Sequence, residues 1–511
     1  MKSGVLVYCI VEMKSLAFLI IVLACVGCGV SKNASFNPAK KYSAAQLQQD
    51  FSLLQNVLKS NHPSLYWYAT TDSVNGYFSA TQASLTDSLT EPQFRNRVSW
   101  AINKIHCGHT TVRSSKKFAA HFLRQRLPQF PLTLKVWKDS AVVVSSLPTS
   151  DSLSSALLQR GTIITGINSF STKEILDSMC QLIGTDGYSD NFKYQLISFN
   201  FPAYYRNAFG IDSIYRVKFI DSIGQAREIN LKNFDAKTDS GAKRQAVMPQ
   251  GFPRKQFRKL RLLNNRNLQI DSTLKTAFIS VNTFSEGKLI RFFKRSFKKI
   301  RSEKIENVVL DLRLNSGGSV LSCTKLSQYL VDKPFHVADT VAAFTREFPY
   351  KQNIKPWFVY WLSMHFSGRK YDDGRIHFRY FEHHYFKPKK TNHFNGDIYL
   401  LTGGYTFSAA TLVADNLKGQ KNVTIVGEET GGGAYGNSAM FLTTIVLPNT
   451  GLRITLPLYR MVLNAKHPKD GRGVLPDVEV NPSSAYIKMA IDPKLEKVKE
   501  LIKERKAQAR R

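Results

Sequence analysis

The chain has 511 residues, 43% of them apolar, with 71 lysines and arginines against 38 acids and a formal charge of +33. That apolar content excludes a disordered or collagen-like chain, and the length provides for several domains. The charge invites a nucleic-acid reading, yet no zinc-finger or RNA-recognition signature accompanies it. The basic residues concentrate in 254–266, 288–304 and 494–511. In the last two, Phe293, Phe297 and Ile300, and likewise Leu495, Val498 and Ile502, share a helical face, so the cations read as solvated helix surface, with attraction to anionic lipid or envelope polymers as the second reading.

In chain order, Lys14 precedes an apolar run of fifteen residues, Leu16 to Val30, short of the roughly 20 that a membrane span requires. It reads as an export signal, with an uncleaved signal anchor as the alternative. Small residues before Cys28, with Cys25 competing, look like a bacterial lipobox, and Met13 is a candidate start. About 480 residues follow, with only Cys107, Cys180 and Cys323, which argues against a disulfide framework.

Ser43-Ala-Ala-Gln46 predicts a capping box opening a helix through Leu47, Phe51, Leu54 and Leu58, stopped at His62-Pro63. Thr90-Glu-Pro-Gln93 opens a second, which delivers the segment Ile105-His-Cys-Gly-His-Thr-Thr111 at its end. Short strands dominate from 128 to 232, interrupted by a capping box at Ser171–Glu174 and a helix through Ile175, Leu176 and Met179. Residues 233–268 are polar and basic and read as a linker or insertion, and 334–396, rich in aromatics and histidine, as an insertion near the site's mouth.

Two stretches carry chemistry. Val308 to Leu312 is an apolar strand ending in Asn315-Ser-Gly-Gly318 before a helical pattern, and the glycine pair frees backbone N–H groups to face a ligand. Asp397 to Leu401 is a second strand, broken at Gly403-Gly404, with a helix of Ala409, Leu412, Val413 and Leu417 opening at Ser408. With Val423–Gly427 this is a βαβαβ succession, which calls for a parallel sheet with right-handed crossovers and a site beyond the strands' carboxyl ends. Ser408 would sit at a helix N-terminus, either as an ordinary N-cap or as a nucleophile beside groups that favour an oxyanion. Beyond the sheet, Ala439–Leu447 and Leu452–Tyr459 alternate about Pro448-Asn-Thr-Gly451 and predict a hairpin.

DLRLNSGG at 311–318, TFSAA at 406–410, VGEETGGGA at 426–434 and DGRGVLPDVEV at 470–480 together resemble the S41 serine peptidases, which include the tail-specific proteases and tricorn. The resemblance runs from about Lys41 to Ser483. It implies an α/β multidomain fold with an N-terminal helical region (41–118), a PDZ-like β-rich domain (128–232) and a ClpP/crotonase-like βαβ protease core with a parallel sheet (269–490). A signal peptide with lipobox (1–28), a tether (29–40) and a basic C-terminal helix (491–511) complete the expected organisation.

Carried over residue by residue, the resemblance implies Ser408 as nucleophile and the N–H of Ala409 as one oxyanion donor, with Gly317 or Gly318 supplying another. The tail-specific members activate their serine with a lysine inside the motif that here reads GEETGGGAYG. That position is Gly433, and no lysine occurs between Lys421 and Lys466. The tricorn-like branch instead uses a histidine and a carboxylate, which correspond to His109 and Asp470. Asp470 replaces the usual glutamate, Cys107 or Gly108 stands where tricorn has a serine, and Thr411 stands where many members carry glutamate. An imidazole titrating near neutrality suits the role of base, and a carboxylate on its far nitrogen would hold the tautomer.

Other signals fail their structural tests. Gly431–Gly436 satisfies a dinucleotide pattern, but a β pattern follows it rather than a helix. His106, Cys107, His109, His383 and His384 lack the spacing of a metal site, and no GxSxG occurs. The expected function is a serine-type endopeptidase without cofactor or metal, acting on peptides or unfolded protein through an acyl-enzyme. It would be held to the membrane of a bacterial envelope by lipidated Cys28, without nucleic acid as a partner. The alternative is an inactive peptide- or hydrophobic-ligand-binding protein on the same scaffold.

Overall fold

In the computed structural model, residues 36–125, 127–147, 157–238 and 253–508 are described. The expected signal, Cys28 and most of the tether therefore lie outside the described residues. The capping box expected at Ser43 forms, as does the helix start expected at Thr90. Ser43 and Gln46 open α1 (Ala44–Asn61), and Thr90 and Gln93 open α3 (Glu91–Asn103), with α2 (Thr71–Ala83) between them.

The next region builds on an antiparallel sheet in which β1 (Leu132–Trp137), β2 (Ser140–Ser146), β3 (Ile163–Ile167), β4 (Ile214–Ile220) and β5 (Ala226–Lys232) lie in sequence order. The Ser171–Glu174 box opens α4 (Thr172–Cys180). A further helix, α5 (Asp190–Phe199), follows the turn Gly184-Thr-Asp-Gly187. Within 128–232 these strands and helices share a core of their own around Leu134, Val143, Ile175, Tyr205 and Val217.

Residues 254–265 are not a loop. They form a helix, α6 (Arg254–Asn265), which runs directly into β6 (Arg266–Asp271), so the main sheet starts within the segment read as linker. β6 pairs antiparallel with β7 (Thr276–Val281). After α7 (Leu289–Ser302), whose apolar face Phe293, Phe297 and Ile300 is buried, the chain enters β8 (Asn307–Asp311). The expected βαβαβ succession then follows: β8, α8 (Val320–Ser327), the insertion with β9 (Thr340–Ala343) and α9 (Trp357–Ser367), β10 (Asp397–Thr402), α10 (Ala409–Leu417) and β11 (Val423–Gly427). β7, β8, β10 and β11 are parallel neighbours, as a crossover topology requires.

The predicted single hairpin is split. β12 (Gly436–Ala439) joins β15 (Tyr459–Val462) in one sheet, whereas β13 (Thr443–Val446) and β14 (Arg453–Leu456) form the hairpin in another. Met440 and Phe441, at φ 58° and 45°, break the strand between them. Left-handed backbone at two consecutive residues cannot continue a β ladder.

Residues 39–511 form one compact unit. A single apolar cluster runs from Leu47, Phe51 and Phe94 in the N-terminal helices to Ala277, Val308, Leu310, Leu400 and Leu412 in and around the parallel sheet. The region bearing His109 is thus an integral layer around the parallel sheet, not a domain facing it across a cleft. Polar clamps reinforce this. Buried Asp50 in α1 accepts from Asn449 N (2.9 Å), Thr450 N (2.9 Å) and Thr450 Oγ1 (2.6 Å) at the tip of the β13–β14 hairpin. The C-terminal helix α11 (Pro493–Gln508) covers the other face through Val498 and Ile502, and Lys494 Nζ bonds Glu428 (2.5 Å) and Thr402 O (3.0 Å). Burial alone would raise the Glu428 pKa, but the adjacent Lys494 and Lys135 hold it below the usual range. Among the described residues no helix is long and apolar enough to cross a membrane.

Candidate active site

Ser408 stands at the turn from β10 into α10 with φ 54° and ψ −120°. This backbone is unfavourable for a residue with a Cβ and is seen where function over-determines geometry. The serine makes no side-chain cap bond to its helix. The capping alternative therefore loses its physical basis, because the hydroxyl stabilises no orphan N–H. Several glycines permit the turn. A Cβ on Gly317 would come within 2.7 Å of the Ser408 Cβ, and one on Gly432 within 3.0 Å of the Ser408 N. Thr411, found in place of the expected glutamate, is buried and donates to Thr406 O at 3.1 Å, closing the same turn.

Ser408 and His109 line one cavity of about 410 Å³, together with Ser316, Gly317, Gly318 and Ala409. These expected residues converge although they come from segments far apart in sequence. His109 is fixed by the strand that follows it: Val112 and Arg113 pair with Ile454 and Arg453 of β14, and Thr455 N donates to Thr111 O at 2.9 Å. Its ring lies against Phe407, centroids 4.8 Å apart, and Phe407 stacks on Phe192 of α5 at 4.4 Å. Among the described residues no lysine lines the cavity, and Gly433 bridges to Gly473.

The amides of the glycine turn are not equivalent. Gly317 N donates to Asn315 Oδ1 at 2.8 Å and is spent within the turn. Among the described residues the N–H groups of Gly318 and Ala409 have no protein acceptor. Gly318 and Ala409 thus carry the amides left for a ligand oxygen.

The carboxylate beside His109 is not Asp470. Asp470 is exposed, its Oδ1 accepts from Arg472 N at 2.9 Å, and no ion pair joins it to His109. The acid motif instead acts as a strap. Arg472 and Gly473 N bind Glu429, Val474 N donates to Thr430 Oγ1 (2.8 Å), and Ala434 N to Arg472 O (2.9 Å), which holds the glycine loop 431–434 in place. The acid facing His109 is Asp186, 2% exposed, with Oδ1 3.7 Å from Nδ1 of the 8% exposed imidazole. Asp186 Oδ1 also accepts from Gly108 N at 2.8 Å. Both Asp186 Oδ2 and His109 Nδ1 are buried without a hydrogen-bond partner. Two such orphans side by side are costly to leave unpaired. The loop reaches this position because Gly187 and Gly471 touch: a Cβ on Gly187 would lie 2.4 Å from the Gly471 Cα. The sequence offered only an acid in a Gly-Thr-Asp-Gly turn as a hint.

A second imidazole supports the first. His62 is fully buried, accepts from Ser64 N at Nδ1 (3.2 Å) and so carries its proton on Nε2, which bonds Thr110 Oγ1 at 2.8 Å. Thr110 in turn donates to Cys107 Sγ at 3.2 Å. Burial raises the Cys107 pKa to about 12, aided by Asp186, so this thiol stays neutral and is no rival nucleophile.

Burial pushes His62 down to about 3 from 6.5. Above pH 6.5 the group is neutral folded or unfolded, and its stability contribution is complete. As pH falls from 6.5 toward 3 the unfolded chain binds a proton that the folded one refuses, so stability is lost at about 1.4 kcal/mol per pH unit, roughly 2 kcal/mol by pH 5. His62→Gln keeps a donor and an acceptor but does not titrate. Its melting temperature should be correspondingly less sensitive between pH 7 and 5 than that of the wild type, as a pair of thermal melts would reveal.

A serine on a strand-to-helix turn, with an imidazole and free amides around one cavity, is the arrangement of a serine hydrolase. Residues 275–480 match the sequence profile of peptidase family S41. Among solved structures, mature CPAF complexed with lactacystin superposes with a TM-score of 0.60 at 15% identity, covering 90% of this chain and 98% of that one. A second structure of mature CPAF gives 0.60 at 14% identity over 90% and 97%. The photosystem II D1 C-terminal processing protease gives 0.40 at 14% identity over 85% and 93%. At these identities the likeness to CPAF concerns the fold. No curated protein sequence matches the chain.

Proposed function

We propose that the protein is a serine endopeptidase that cleaves peptides or unfolded proteins through an acyl-enzyme, by the imidazole-activated rather than the lysine-activated route. The observation that carries this reading is the strained, uncapped Ser408 sharing a lysine-free cavity with His109. In this reading His109 Nδ1 faces Asp186, leaving Nε2 to take the Ser408 proton and return it to the leaving amine. The acyl oxygen lies against the amides of Gly318 and Ala409. Val320, Leu412, Met440, Leu442, Met461 and Leu463 line the rest of the cavity and favour an apolar side chain beside the scissile bond.

The location reading rests on the N-terminal sequence alone: an export signal ending at Cys28 would leave a lipid-anchored enzyme facing the periplasm or the exterior of a bacterial cell. A fluorophosphonate probe tests the catalytic claim. It should label the wild type and not Ser408→Ala. A folded wild type that neither labels nor cleaves unfolded casein would be the ligand-binding alternative instead.

A further inference from the structure

The insertion contains a helix whose apolar side faces outward. In α9, Phe358, Val359, Leu362 and Phe366 are exposed, Phe366 to 75%, while Met364 is the residue turned into the core. At 100° per residue these four fall within about 100° of the helix circumference, so they form one continuous stripe. Around them the segment 351–370 carries Lys351, Lys355, Arg369 and Lys370, all exposed, and no acid, with Glu347 (4.0 Å from His365), Asp372 and Asp373 flanking it. Trp357, Tyr360 and Trp361 are half-buried beneath the stripe, with Lys351 Nζ 5.4 Å from the Trp357 ring centre. A soluble surface rarely presents Phe, Val, Leu and Phe in one row without a partner. The helix is also tied to the active-site mouth. Tyr360 Oη donates to Leu442 O at 2.9 Å, its ring lies 5.5 Å from that of Phe441, and Leu442 and Met440 line the Ser408 cavity.

We infer that α9 is a membrane-docking helix: its Phe358, Val359, Leu362 and Phe366 stripe seats in the headgroup boundary of an anionic phospholipid bilayer, with Lys351, Lys355, Arg369 and Lys370 on the lipid phosphates. The charge pattern selects this occupant. Cations at both ends of an acid-free aromatic helix complement anionic headgroups, whereas a second copy of this chain would bring four more cations against the same four. Docking would hold the mouth of the cavity at the membrane surface, independently of any lipid on Cys28 and of whether Ser408 is a nucleophile.

The test uses residues 39–511, which form one compact unit, so that no leader contributes to binding. Phosphatidylcholine vesicles with and without phosphatidylglycerol are sedimented with the protein, and tryptophan emission reports insertion through Trp357 and Trp361. The wild type should bind the anionic vesicles with a blue shift. Phe358→Ser with Phe366→Ser should cut partitioning at least about tenfold. Replacing the four cations by glutamine should cut it by about 10² to 10³. Both sets are exposed, so unchanged melting temperatures show that the variants are folded. The inference is overturned by equal binding of the Phe variant, or by binding indifferent to phosphatidylglycerol. It is equally overturned if the wild type ignores vesicles and the Phe variant abolishes self-association, or if that variant only raises KM for unfolded protein.

Discussion

Ser408→Ala is expected to lower peptide hydrolysis by about 10⁶-fold while leaving the melting temperature almost unchanged. The two halves of this expectation have separate physical sources. On the proposed mechanism, the rate loss follows from removing the hydroxyl that shares the cavity with His109 and the free amides of Gly318 and Ala409. The absent stability loss follows because the hydroxyl caps nothing. A true N-cap serine would lose about 1 kcal/mol on this change. A third variant sharpens the point. Ser408 holds φ at 54°, where a Cβ costs on the order of 1 kcal/mol or more. Ser408→Gly removes that cost and should be as inactive as the alanine variant yet more stable than the wild type. Calorimetry of the three proteins beside their hydrolysis rates reads both quantities. If glycine destabilises like any other surface glycine, the strain at this turn is not what holds the nucleophile up.

What the sequence made legible was local or periodic. The capping box at Ser43, the helix start at Thr90, the strand–turn–helix at Ser408 and the parallel βαβαβ order each depend on residues within a few positions of one another, where pattern reading is strongest. What it hid depends on tertiary approach. Nothing in Gly-Thr-Asp-Gly distinguishes Asp186 from any turn aspartate until Gly187 and Gly471 are seen to touch and carry it beneath Gly108 N. The DGRG motif drew attention to Asp470, but here Gly471 serves the close approach, and Arg472 and Gly473 the strap to Glu429. Likewise the glycine pair 317–318 was legible as a pair. Only the Asn315 side chain, turned onto Gly317 N, separates the spent amide from the free one. The left-handed Met440–Phe441 break escaped because neither residue type signals positive φ.

The choice of acid carries the second large effect. Asp186→Asn keeps an Oδ1 acceptor for Gly108 N, so the loop should stay in place, but it removes the charge that faces His109 Nδ1. By analogy with triad acids the expected loss in kcat is about 10²- to 10⁴-fold, with KM little altered, because the imidazolium formed as Ser408 attacks is left uncompensated. Asp470→Asn, on an exposed carboxylate bound to Arg472 N, should change kcat by no more than about threefold. The melting temperature separates positioning from mere structure. Loss of the charge beside His109 should lower kcat in a protein that melts where the wild type does, whereas a folding defect lowers both together. Should Asp470→Asn give the large loss in kcat while Asp186→Asn keeps its rate, the relay runs through the DGRG strap and the Asp186 contact serves only to seat Gly108.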